Sequence, residues 1–287
     1  MARIFDSHLH IIDPRFPLTA NQGYLPGNFS SIDYLSQAAD LKQNADDTIV
    51  GGAIVSGSFQ AFDQTYLEAA LSELGKGFVG VTQLPPDVST DEIRRLDALG
   101  VRAMRCNLFR GGGLNRADLD AFARRVYDVA GWHTELYVDA RSLWDPENEN
   151  LSVLGRTVSN LPAASIDHLG MHPAGLPAIL ELAQRGVRIK ATGFGRLEPR
   201  PYGDEGEAGA KSSAAEDFFH IAETLRAIVR ANPRALLFGT DLPGTRAPRA
   251  FTHDDLALLR EALGEFGNDA LDRVLCLNAL EFYRVEV

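Results

Sequence analysis

Eight short apolar, β-branched-rich runs alternate with segments of helical periodicity along the chain, and this alternation restricts the possible folds more than any other feature. The runs are Arg3 to Leu9, Thr48 to Val55, Phe78 to Leu84, Val101 to Asn107, Thr134 to Asp139, Ala164 to Leu169, Val187 to Thr192 and Leu236 to Thr240. Between them, the apolar spacing predicts helices over Asp33 to Asn44, Gln64 to Leu74, Glu92 to Leu99, Asp118 to Val129, Pro177 to Arg185, Glu216 to Arg230 and Asp255 to Phe266. Ser89 three before Glu92 and Ser213 three before Glu216 have capping-box spacing, and Gly100, Gly131, Gly186 and Gly267 follow helices as C-cap candidates. Near-continuous apolar strands need cover on both faces, which implies a parallel sheet, and eight strand-helix units suit a closed barrel better than an open doubly wound sheet. No linker, charge run or low-complexity stretch divides the chain, so residues 1–287 are expected to form a single α/β domain, a (β/α)8 TIM barrel.

Barrel enzymes carry their chemistry where strands end and loops begin. His8 and His10 lie two apart at the end of the first run, so both side chains point to one side, toward the mouth. Asp167 and His168 end the sixth run, in SIDHLG, and Asp241 follows the eighth, in LLFGTDLP. A solvated turn, a satisfied core histidine or a helix-capping aspartate would explain each of these singly. Together on one rim they point to chemistry. A carboxylate facing imidazoles can complete a divalent-metal site, or it can act as base to a water while the imidazoles polarise a carbonyl. On residue types alone both readings stand, with His8, His10, His168 and Asp241 as the metal set and zinc as the first ion to consider. The long segments Ile11 to Ser31, Arg196 to Ser212 and Leu242 to Asp254 fall on the same face and are the expected lid and specificity loops.

Acidic residues outnumber basic ones, 39 to 28, for a formal charge of -11, and a field of this sign repels polyanions, so no nucleic-acid partner is expected. An anionic ligand needs a local basic cluster. Arg105 and Asn107 close the fourth run, Arg110 lies just beyond, and Arg196 follows the seventh in TGFGRL. Guanidinium groups match carboxylates bidentately, so arginines gathered at one rim imply a small carboxylated substrate. The two cysteines, Cys106 and Cys276, suit no disulfide framework and no thiolate metal site, which suggests a reducing, cytoplasmic setting. Asp6 and the histidines interrupt the N-terminus before an export signal could form, and no apolar stretch is long enough to predict a membrane span.

FDSHLH near the start, GVRAMRCN, IDHLG, FGTDLP and the closing LNALEFYRV together resemble the amidohydrolase superfamily, in the branch of 2-pyrone-4,6-dicarboxylate lactonase and the sugar-acid lactonases. The resemblance spans nearly the whole chain. It implies a hydrolase acting on a carboxylic ester, with Asp241 orienting and deprotonating water and His8, His10 and His168 polarising a lactone carbonyl in place of a metal. It also implies that Tyr24, Arg105, Arg110, Tyr137 and Arg196 hold the substrate carboxylates. Binuclear members of the superfamily are not matched, since the fourth and fifth runs lack a lysine for carbamylation and a histidine for a second metal cluster. A binuclear centre is therefore not expected, and the matches at Arg105 and Tyr137 favour the version that uses no cofactor. The alternative is one zinc or manganese on His8, His10, His168 and Asp241, supporting hydrolysis or decarboxylation. A carboxylate-binding barrel without activity is the third reading.

Of the other histidines, His133 precedes the fifth run and His220 falls inside a predicted helix, so both are expected to be structural. His172 lies close enough to His168 to contribute from a loop. Lys190, inside the seventh run, is compatible with either the barrel interior or its outer layer and has no assigned role.

Overall fold

A computed structural model describes residues 2–41, 47–111, 116–197 and 220–287. The parallel strands are β1 (Arg3–Leu9), β2 (Thr48–Val55), β3 (Phe78–Thr82), β4 (Val101–Asn107), β5 (His133–Tyr137), β6 (Ala164–Ile166), β7 (Arg188–Ala191) and β8 (Leu236–Phe238). They pair in that order, each with its sequence neighbour. β8 returns to β1 through Asp241 N–H donating to His8 O (2.7 Å) and His10 N–H donating to Leu242 O (2.8 Å). The fold is the expected (β/α)8 barrel. Helices α1 (Ser31–Asp40), α2 (Thr65–Leu74), α3 (Thr90–Ala98), α4 (Leu119–Ala130), α5 (Val153–Ser159), α6 (Leu176–Gln184), α7 (Ile221–Ala231) and α8 (His253–Leu263) form the outer layer. No helix among the described residues is long and apolar enough to cross a membrane.

Local chemistry explains most element ends. Ser89 accepts the Glu92 N–H at the start of α3 (3.1 Å), and Gly131 takes the left-handed conformation that closes α4 (φ 67°). Three expectations need correction. The sequence showed no helix between Asp139 and Ala164, whereas α5 lies there, preceded by a small hairpin of Trp144–Asp145 with Asn150–Leu151. With seven residues, including Gly155 and β-branched Val153, Thr157 and Val158, α5 is too short for a clear period, and the Ser152 hydroxyl starts it by accepting the Gly155 N–H (3.1 Å). The sixth strand ends at Ile166, three residues before the expected Leu169, where His168 and Leu169 take positive φ (50° and 51°), and the third, fifth and eighth strands each stop two residues early, at Thr82, Tyr137 and Phe238. His220 lies just before α7 instead of inside a helix. The expected helix start at Ser213 and Glu216, the end of the first helix at Asn44, and all of the loop Arg196 to Ser212 beyond Leu197 lie outside the described residues.

The core has two parts. The larger lies between strands and helices, while the smaller fills the barrel with Phe5, Ala53, Val55, Val79, Val81, Ala103 and Leu237 and is completed by Cys276, Ala279 and Tyr283 from the C-terminal helical segment. Above that apolar floor the register sets Arg105 opposite Glu135, Glu135 opposite Ser165 and Asn107 opposite Tyr137, so the interior turns polar toward the mouth. Lys190 resolves into this interior, fully buried, with its Nζ 2.5 Å from Glu135 Oε2. Tyr283 donates its hydroxyl to the other oxygen of Glu135, and His133 Nε2 lies 3.1 Å from the same atom. Burial alone would raise the Glu135 carboxyl, but Lys190 and His133 beside it hold it down at about 2.

Gly239 makes the closing approach possible. A Cβ there would stand 2.9 Å from His8 N and 3.0 Å from His8 Cβ, so Gly239→Ala should cost about 1–3 kcal/mol. Gly264→Ala, with open space and φ -57°, should be close to neutral. Equal urea midpoints for the two variants would contradict this account of the seam. Glu135→Leu should cost about 3 kcal/mol or more by stranding the Lys190 ammonium, and Lys190→Met in the same chain should recover most of it. Because the folded Glu135 carboxyl titrates at about 2, below its ordinary 4.5, its contribution is full above pH 4.5 and is lost as pH falls toward 2. The double variant should lack that part of the acid sensitivity in urea titrations run across this range.

Candidate active site

The barrel mouth opens into a cleft of about 360 Å³ whose lining includes His10, Arg105, Asn107, Arg110, Tyr137, His168, Arg196 and Asp241. Seven of the nine residues singled out from sequence therefore share one cavity, the exceptions being His8 and Tyr24. Asp241 and His168 are both held at positive φ, a strained backbone that turns their side chains inward at the strand ends. Gly193 leaves the space His168 needs, since a Cβ there would stand 2.6 Å from His168 Nδ1.

Asp241 is the centre of the arrangement. Its Oδ1 lies 3.2 Å from His10 Nε2 and 3.6 Å from His8 Nε2, and its Oδ2 accepts from Arg196 Nη2 (3.3 Å). Burial would raise its carboxyl, but its cationic surroundings, Arg196 among them, outweigh burial and hold it far below the usual carboxylate range. His10 Nδ1 is 2.7 Å from Val55 O, and since a carbonyl only accepts, the His10 proton sits on Nδ1 and the Nε2 lone pair faces Asp241. Two acceptor atoms at 3.2 Å repel unless a proton or a cation lies between them.

His8 lies behind the cleft wall with no exposure, its ring 5.1 Å from that of His10 and 5.0 Å from that of His168. Burial, with the Lys190 ammonium beside it, pushes His8 well below its ordinary value, and burial pushes His168 down to about 4. Both are neutral at pH 7. Among the described residues, His8 Nε2 and His168 Nδ1 have no hydrogen-bond partner.

Ligand geometry separates the four-residue metal set expected from sequence. Candidate ligand atoms fall into two groups, His8 with His10 and Asp241, and His8 with Asp167 and His168, each with its atoms within 4.8 Å of one another. The first group fits a divalent cation in residue type, spacing and burial, and the His10 lone pair already points at the shared oxygen. His168 falls in the second group, beside Asp167, and Tyr137 packs against its ring edge-on at 5.3 Å.

The cationic lining has internal counterparts. Arg105 donates to Ser56 O (2.6 Å) and to Asp167 Oδ2 (3.1 Å) and lies over the Tyr137 ring, leaving its buried Nε without a partner among the described residues. Arg196 reaches Thr245 O (2.5 Å) and the Tyr137 hydroxyl (3.5 Å), and Asn107 Oδ1 accepts the Arg110 N–H (2.9 Å). Tyr24, expected to hold a substrate carboxylate, is not among the residues lining the cleft but contacts one that is. Its hydroxyl accepts the Arg246 N–H (3.2 Å), and the Arg246 guanidinium stacks 4.2 Å over its ring. Arg246 itself lines the cleft, as do Thr245 and Phe59. Sequence reasoning missed Arg246, Glu135 and the setting of Lys190. The charge of Lys190 inside an otherwise apolar strand was the available signal, and Arg246 offered only its place in a rim loop. His172 makes a local cap, its Nδ1 accepting the Ala174 N–H (3.2 Å).

Comparison with known proteins places these features in context. A probable 2-pyrone-4,6-dicarboxylic acid hydrolase from Acinetobacter baumannii, solved with citric acid bound, superposes with a TM-score of 0.72 at 19% identity, covering 98% of this chain and 99% of that one. A provisionally assigned 2-pyrone-4,6-dicarboxylic acid hydrolase from Pseudomonas putida gives 0.69 at 22% identity, covering 99% and 98%. An amidohydrolase from Burkholderia multivorans with bound zinc gives 0.67 at 18% identity, covering 99% and 100%. At these identities the likeness shows the fold. No curated protein matches the sequence. The amidohydrolase family model matches residues 5–285, and the chain belongs to that family of hydrolases.

Proposed function

We propose that the protein opens a small carboxylated lactone, of the 2-pyrone-4,6-dicarboxylate or sugar-acid type, by adding water to the ring carbonyl. The observation that carries this reading is one buried carboxylate, Asp241, set between imidazoles in a cleft lined by Arg105, Arg110, Arg196 and Arg246. In an acidic chain such a mouth favours an anionic ligand of small size. The citric acid held by the Acinetobacter baumannii relative is a ligand of that kind.

Asp241 held this low is a weak base by itself. With His10 it becomes a stronger one, because a proton taken from the attacking water relieves the repulsion between Asp241 Oδ1 and the His10 Nε2 lone pair. A substrate carboxylate engaging Arg196 would also weaken that residue's hold on Asp241. As the water oxygen bonds to the carbonyl carbon, negative charge develops on the carbonyl oxygen, where a ring N–H of neutral His168 and the arginines stabilise it. The ring C–O bond then breaks, and the leaving oxygen takes the proton held by Asp241 and His10. His8, behind the wall, acts on Asp241 and not on the substrate.

The cluster of His8, His10 and Asp241, together with the zinc-bound Burkholderia multivorans relative, favours a second reading in which these residues hold one divalent cation. Such an ion would supply Lewis-acid polarisation and a more acidic bound water. Metal analysis separates the two readings, since full activity in metal-stripped protein supports the first and a stoichiometric zinc or manganese requirement supports the second.

With 2-pyrone-4,6-dicarboxylate and a panel of sugar-acid lactones as substrates, Asp241→Asn should lower kcat by about 10²–10⁴ while ligand binding persists. Folded protein that hydrolyses none of the panel would overturn the proposal. Activity should fall at acidic pH as Asp241 gains a proton. Arg196 depresses both Asp241 and His168, so in Arg196→Met the acidic limb of kcat/KM should move to higher pH, and an unmoved limb would argue against Asp241 as the titrating group.

A further inference from the structure

Lys190 stands in the middle of β7 with no exposure, and the chemistry proposed above makes no use of it. Glu135 accounts for its charge. Its second contact, Nζ to His8 Nδ1 at 3.4 Å, is not needed for neutralisation. A lysine ammonium has donors only, so His8 Nδ1 can join this contact only through its lone pair. A neutral imidazole carries one proton, which then sits on Nε2, facing Asp241 Oδ1 at 3.6 Å. In that tautomer the lone pair meets the cation and the N–H meets the carboxylate, so both charges favour the same ring dipole. The opposite tautomer sets N–H against ammonium and lone pair against carboxylate.

Asp167 Oδ1, 3.4 Å from His8 Nδ1, pulls the other way. It forms no hydrogen bond to the ring, and its charge is shared with Lys190 at 3.8 Å and with Arg105, which binds Oδ2 at 3.1 Å. We infer that Lys190 is a positioning residue that fixes His8 as its Nε2–H tautomer, so that His8 offers a hydrogen to Asp241 and no lone pair to a cation. Val55 O fixes His10 in the opposite sense. One imidazole donor and one imidazole acceptor thus meet the same carboxylate oxygen. The purpose of the device rests on Asp241 being the base, but the tautomer is measurable without substrate.

The test reads the ring nitrogens of isotope-labelled histidine by NMR in the full chain, assigned with His8→Gln and His10→Gln. The wild type should carry the His8 proton on Nε2 and the His10 proton on Nδ1. In Lys190→Met, His8 should shift to the Nδ1–H form or an exchanging mixture, with His10 unchanged. Calorimetric titration of the metal-stripped variant with Zn²⁺ alone should show binding at least about tenfold tighter than wild type. If Lys190→Met does not fold, Lys190→Met/Glu135→Leu gives the same readouts with both charges removed. An Nδ1 proton on wild-type His8 would overturn the inference, as would a variant with unchanged tautomer and Zn²⁺ affinity. An Nε2–H His8 in a protein that opens no lactone would leave this inference standing and remove only the functional reading.

Discussion

The seam between the first and last strands is the constraint on which the rest of the molecule depends. The buried Asp6 carboxylate accepts four hydrogens, from His8 N (3.1 Å), Thr240 N (2.9 Å), the Thr240 hydroxyl (2.6 Å) and the Tyr34 hydroxyl (3.2 Å). Two of these come from the residue just before Asp241 and one from His8 itself. The same side chain therefore closes the barrel and sets the backbone from which the reactive groups project. Charge-assisted hydrogen bonds of this kind are the strong ones, and in a dry interior losing one partner strands the others.

The charges inside the barrel form one connected set. Lys190 links Glu135, His8 and Asp167, and Asp167 passes the linkage to Arg105 at the cleft wall. A buried pair is weak evidence for stability, since well-packed apolar residues often do as well. Its value here is orientation. His10 faces Val55 O and His8 faces Lys190, so in the inferred tautomers the two rings present the same atom, Nε2, to Asp241 in opposite senses, as a donor from His8 and an acceptor from His10.

Much of this was legible in the chain. Eight apolar runs and the polar residues at their ends marked the barrel and its rim, because burial on both faces and strand-end chemistry both leave local marks at His8, His10, His168 and Asp241. The sixth strand is shorter than its apolar run, since positive φ at His168 and Leu169 is a backbone feature that leaves no trace in apolar pattern. α5 was hidden by its brevity. The contact of Tyr24 with Arg246, 222 positions away, is not legible in the chain, since only the closed barrel brings the two loops together. The split of the metal set was beyond sequence for the same reason, since it depends on which way a strained His168 turns.

In the proposed reaction the cleft holds substrate carboxylates on its arginines while presenting a carbonyl to the Asp241 cluster. A crystal structure of Asp241→Asn with a carboxylated lactone bound tests it most directly. The substrate carboxylates should lie on Arg105, Arg110, Arg196 or Arg246, with the ring carbonyl beside His168 and the side chain at 241. A lactone seated with its carboxylates away from those arginines, or with its carbonyl turned from the histidines, would contradict it.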